Sequence, residues 1–97
     1  MRNFITEYAW KSEKGKIGAG AALLTYEHHV HSIQEGLTSI QSRCRDVIGS
    51  TTHVHLDESR CLEVISFRGK LERIQRMAEN LMKTRGVSQF KISIIPL

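Results

Sequence analysis

Residues 53–63 read His-Val-His-Leu-Asp-Glu-Ser-Arg-Cys-Leu-Glu, and they hold the side chains best suited to chemistry. Side chains alternate along a strand, so His53 and His55 share one face, and Cys61 and Glu63 share a face of the strand that follows. Asp57 to Arg60 is polar and turn-like, so the two runs read as a hairpin. Opposed residues of an antiparallel pair point the same way. Both histidines and the thiol therefore reach one side only across a loop of odd length, three or five residues, or across a bulge. Two imidazoles and a thiolate form a borderline-to-soft donor set. It suits nickel, copper, zinc or cobalt, and suits calcium or magnesium poorly. Glu63 is placed to stand behind the donors and fix a ring tautomer. The competing reading makes His53 and His55 exposed strand residues and Cys61 a small core residue. The spacing is not one of the common zinc patterns.

The rest of the chain supplies elements to position this stretch. Phe4, Ile5 and Tyr8 fall at i, i+1 and i+4, which predicts a short amphipathic helix within residues 1–16, ending in the polar linker 11–16. Ile17 to Tyr26 reads as a strand, with Gly18 and Gly20 permitting close approach of another backbone. His28, His29 and His31 follow as loop residues, and they are also candidates for a second, weaker metal site. Ser32-Ile33-Gln34-Glu35 has the capping-box pattern, so a helix starts there. Ile33, Leu37, Ile40 and Cys44 form its apolar stripe, which makes Cys44 a core residue before it is a ligand. Residues 46–56 and 61–67 are the next two strands, the first interrupted at Gly49-Ser50. Val54, Leu56, Leu62 and Val64 point away from the histidines and are expected in the core. Gly69 should end the strand, and 70–85 forms a second helix with Leu71, Ile74, Ala78 and Leu81 inward and Gly86 as its C′ residue. Phe90 to Pro96 is the last strand. The order is βαββαβ, a split βαβ pattern.

The chain is 97 residues with net charge +4, 40% hydrophobic and 25% charged, the balance of one ordinary globular domain. No apolar run approaches the roughly 20 residues of a membrane span, and no signal peptide is visible. Two cysteines are weak evidence for a disulfide, so a cytoplasmic, reducing setting is expected. Lysines and arginines are scattered among acids, which favours a solvated surface over a nucleic-acid face. Nothing requires an enzyme. A three-ligand metal with an open position is the form of a hydrolytic site, but no general base beyond Glu63 is in view.

His53-Val54-His55, Cys61 and Leu62-Glu63 together resemble the metal-binding domain of the nickel-responsive transcriptional regulators, the NikR family. Tyr26-Glu27-His28 and Thr84-Arg85-Gly86-Val87 match further family patterns, and the matches run in order across residues 17–97. The resemblance implies an α+β fold, a ferredoxin-like or ACT-type βαββαβ sandwich with a four-stranded antiparallel sheet and two helices on one face. It implies Ni(2+) held between subunits of a tetramer, by His53, His55 and Cys61 of one chain and a fourth ligand from another. That fourth position is Ser42 here, where the family has histidine, and Cys44 lies two residues away as a candidate replacement. Residues 1–16 resemble the end of the family's DNA-binding domain and its linker, ahead of a metal-binding and tetramerisation domain at 17–97. The chain is too short for that DNA-binding domain, so no direct DNA binding is expected of it alone. Its expected partners are further copies of itself or full-length regulator subunits. The alternative is an ACT-like assembly or small-molecule-binding module with an altered metal site.

Overall fold

The computed structural model describes residues 3–6, 16–27, 29–30 and 33–97. Its elements are β1 (Asn3–Thr6), β2 (Ile17–Glu27), α1 (Ile33–Arg43), β3 (Ile48–His55), β4 (Arg60–Lys70), α2 (Leu71–Lys83) and β5 (Val87–Pro96). The sheet has five strands in the order β1-β5-β2-β4-β3. The last four carry the expected βαββαβ arrangement, antiparallel throughout.

The fifth strand corrects the expected four-stranded sheet and the expected N-terminal helix. Residues 3–6 lie parallel to β5, with Phe4 opposite Phe90 and Ile5 opposite Lys91. An isolated short helix is marginal in water. As a strand, the same residues gain ladder bonds and an edge-to-face contact of Phe4 on Phe90, with ring centroids 6.2 Å apart. Tyr8 lies outside the described residues, as does Ser32 of the expected capping box.

One face of the sheet is covered by the helices. Ala22, Leu24 and Tyr26 of β2, Ile65 and Phe67 of β4, and Phe90, Ile92 and Ile94 of β5 are buried against Ile33, Leu37 and Ile40 of α1 and Leu71, Ile74, Met77, Ala78 and Leu81 of α2. Cys44 joins this core from the turn just past the end of α1. The other face is more open, with Leu23, Val54 and Ile95 exposed.

That division reverses the expectation for the central hairpin. Val54 and Leu56 are exposed and Leu62 and Val64 only half-buried, whereas Cys61 and Glu63 are buried with Ile65 and Phe67. The donor-bearing face of β4 is the core face, and the apolar alternates look outward. The glycines locate two further differences. Gly49 sits at a register shift between Ile48 and Ser50, so the interruption in β3 is a bulge and the pairing continues. Gly69 does not end β4, which runs on to Lys70. A Cβ at Gly69 would meet Val47, so the glycine admits that close contact. Helix α2 ends at Lys83 with Thr84 as its cap, and Gly86, at φ +101°, turns the chain two residues after that cap. Gly20 lies where a Cβ would strike the Ser93 carbonyl of β5, so the close approach anticipated there is to the neighbouring strand.

Candidate metal centre

The hairpin register decides what can meet. His53 opposes Glu63 and His55 opposes Cys61, with residues 56–60 between the last pair, the five-residue solution. Asp57 builds that turn. Its Oδ1 accepts from the backbone N–H of Ser59 at 3.0 Å and of Arg60 at 2.8 Å. Its Oδ2 accepts from Arg60 Nε at 2.8 Å. The Arg60 guanidinium and these N–H donors hold the Asp57 carboxyl well below the usual carboxylate range.

His53, His55, Cys61 and Glu63 thus stand on one face, at the edge of the sheet where β3 is the last strand. Nδ1 of His55 and Sγ of Cys61 are 3.8 Å apart. A single metal can bridge that gap with bonds of about 2.0 Å to nitrogen and 2.3 Å to sulfur. Nε2 of His53 contacts Oε1 of Glu63. A carboxylate there keeps the ring proton on Nε2 and leaves the Nδ1 lone pair available to a metal. The Glu63 side chain is only 1% exposed, against 52% for His53. A carboxylate so deeply buried must be paired, and Oε2 accepts from Gln41 Nε2 of α1 at 2.6 Å.

Helix α1 contributes a second glutamine two turns earlier. Gln34 Nε2 donates to the Tyr26 hydroxyl at 3.1 Å. Tyr26 opposes Cys61 on the adjacent strand. Burial pushes the Tyr26 phenol up, the Gln34 hydrogen bond opposes that, and nearby Glu63 and Cys61 add to the rise. The i, i+7 pair Gln34 and Gln41 therefore holds Tyr26, which opposes Cys61, and Glu63, which contacts His53. Sequence reasoning gave Gln34 and Gln41 no site role, although their spacing puts them on one helix face and was a usable signal.

The remaining candidates separate from this group. Ser42 is exposed on the last turn of α1, beside Gln41. Cys44 is buried, burial raises its thiol, and its charged neighbours are Arg73, Asp46 and Arg43. His29 is exposed in the turn after β2. His28 and His31 lie outside the described residues. Among the described residues, no three His, Cys, Asp or Glu side chains converge on one point as they stand. The donors are arranged as two cross-strand pairs, His55 with Cys61 and His53 with Glu63. In donor chemistry and shared face they suit a nitrogen- and sulfur-loving divalent metal.

The profile of the NikR C terminal nickel binding domain matches residues 19–95. The chain belongs to this family. It is 45% identical over 94 residues to a protein of Dictyoglomus turgidum named for nickel-responsive regulation, covering 97% of this chain and 69% of that protein. A similarly named protein of Methanocaldococcus jannaschii is 35% identical over 95 residues, covering 98% of this chain and 67% of its own length. Among solved structures, an ACT domain from the GTP pyrophosphokinase of Chlorobium tepidum superposes with a TM-score of 0.62 at 15% identity, over 80% of this chain and 99% of that one. An uncharacterized protein of Thermotoga maritima gives a TM-score of 0.63 at 10% identity, over 82% of this chain and 98% of that one. These likenesses establish the ACT-type, ferredoxin-like fold. No helix is long and apolar enough to cross a membrane among the described residues.

Proposed function

We propose that this chain is a nickel sensor domain in which His53, His55 and Cys61 bind Ni(II), with Glu63 orienting His53. The observation that carries this reading is the hairpin register, which sets His53 beside Glu63 and His55 beside Cys61 on one face. Bound metal would supply a fixed point joining these donors. The chain's own contribution is to hold the His53 proton on Nε2 through Glu63, and to hold Glu63 through Gln41. The family resemblance implies that a fourth ligand comes from another subunit of a homotetramer, and the donors at the sheet edge are compatible with that. The unit that binds and assembles is 17–97, and full-length regulator subunits are compatible partners in a cytoplasmic setting. A ligand bridging subunits favours the quaternary arrangement that presents both halves of its site and shifts the population toward it.

A second reading, an ACT-like assembly module with an altered metal site, draws on Ser42. A hydroxyl is a poor ligand for nickel where imidazole and thiolate are the rule. Nickel titration of the reduced protein, followed by absorption, separates the two. The sensor reading expects a stoichiometric thiolate-to-nickel band that is lost in His55→Ala and in Cys61→Ala. Titration without a stoichiometric endpoint favours the assembly module.

A further inference from the structure

Opposed residues form one row across the whole sheet. Phe4 of β1 stands opposite Phe90 of β5, Phe90 opposite Leu24 of β2, Leu24 opposite Glu63 of β4, and Glu63 opposite His53 of β3. The three inner members are almost wholly buried, whereas Phe4 is 38% exposed at one end and the His53 side chain 52% exposed at the other. A metal ligand on one edge of the sheet is therefore joined by packed side chains to an aromatic anchor on the opposite edge.

The far end of the row is lightly held. Strand β1 has four residues and, among the described residues, lies at the sheet edge with β5 as its strand neighbour. Its two apolar side chains, Phe4 and Ile5, remain 38% and 45% exposed. Short edge segments with little buried apolar surface occupy the low end of the local-opening scale. In the sequence Phe4 and Ile5 also share a helical spacing with Tyr8, so the segment is compatible with a state released from β5.

We propose that residues 3–6 are a docking strap whose seating on β5 is coupled through this row to the state of His53, so that metal capture at one edge favours the seated strap at the other. The coupling rests on the nickel-binding reading. Metal held by His53 would fix the ring, and with it Glu63, which is held on its other oxygen by Gln41. Close-packed interiors pass such constraints between discrete arrangements. Fixing Glu63 narrows the positions open to Leu24 and to the Phe90 ring on which Phe4 rests edge-on. Linkage is reciprocal, so a strap that cannot seat must weaken metal binding by the same factor.

Hydrogen exchange at the amides of residues 4–6 tests this on the full chain, with nickel chloride as the probe. The expected result is exchange slower by about fivefold in the nickel-loaded protein, the low end of allosteric coupling. Phe4→Ala should weaken nickel affinity by a matching factor, with global unfolding unchanged. Stoichiometric nickel binding with equal exchange at 4–6, loaded and free, would overturn the coupling. If nickel does not bind, the sensor reading fails, and the row is tested without metal by His53→Ala and Glu63→Gln. Altered exchange at 4–6 in either variant supports the row, and unaltered exchange in both overturns it.

Discussion

Replacing Gln41 with alanine isolates the contact that lets a carboxylate sit inside the core. Glu63 accepts from Gln41 at 2.6 Å on one oxygen and contacts His53 on the other, and its side chain is 1% exposed. Hydrogen bonds to charged groups contribute about 1.5–3 kcal/mol, and an abandoned buried acceptor forfeits that whole amount. With Glu63 wholly buried, no water replaces the lost donor, so Gln41→Ala should cost about 2 kcal/mol. At about 4–8 °C per kcal/mol for a domain of this size, Tm should fall by about 8–16 °C. Urea unfolding of the metal-free protein at one concentration measures it, with the same substitution made in a Glu63→Leu background. With no carboxylate to satisfy, the loss there should shrink to about 0.5 kcal/mol or less, and the difference is the coupling energy. Equal losses in both backgrounds would refute the reasoning, because Gln41 would then act through packing alone.

Other outcomes follow from the same geometry. Glu63→Gln should lower nickel affinity by about 10–100-fold while the fold persists, as partners of metal-bound histidines do, and calorimetric titration reads it. Gly20→Ala drives a methyl into the Ser93 carbonyl, and thermal melts should show a loss of about 1–3 kcal/mol. The Asp57 carboxyl is held low in the folded chain, so its support of the hairpin turn is complete above the unfolded value near pH 4 and fades as pH falls toward the lower folded value. Carbon-detected NMR titration should show that low midpoint in the native chain and its return toward the ordinary range in Arg60→Ala.

Much of the architecture was legible in the sequence because periodicity reports burial. The stripe Ile33, Leu37, Ile40 and Cys44 and the stripe Leu71, Ile74, Ala78 and Leu81 are all buried as read. The spacing of His55 and Cys61 required an odd connection, and the register supplies one. Strand β1 escaped because a few apolar residues at i, i+1 and i+4 fit a helix and a strand alike, and only the free edge of β5 decides between them. The facing of the hairpin was misread for a physical reason. Val54, Leu56, Leu62 and Val64 look like core, and Glu63 does not, since a carboxylate is seldom fully buried unless paired. Its partners, His53 and Gln41, lie 10 and 22 residues away. No local pattern announces such pairing. Tyr26, opposite Cys61 and held by Gln34, was hidden for the same reason, since its relation to the thiol exists only across strands.

The most direct test of the metal centre is X-ray absorption at the nickel edge on the loaded, reduced protein. One sulfur and two imidazole nitrogens in the nickel shell, with the sulfur absent in Cys61→Ala and one imidazole fewer in His55→Ala, is the expected result. A shell of oxygen alone, unchanged in both variants, would contradict the assignment of His53, His55 and Cys61 as the donors.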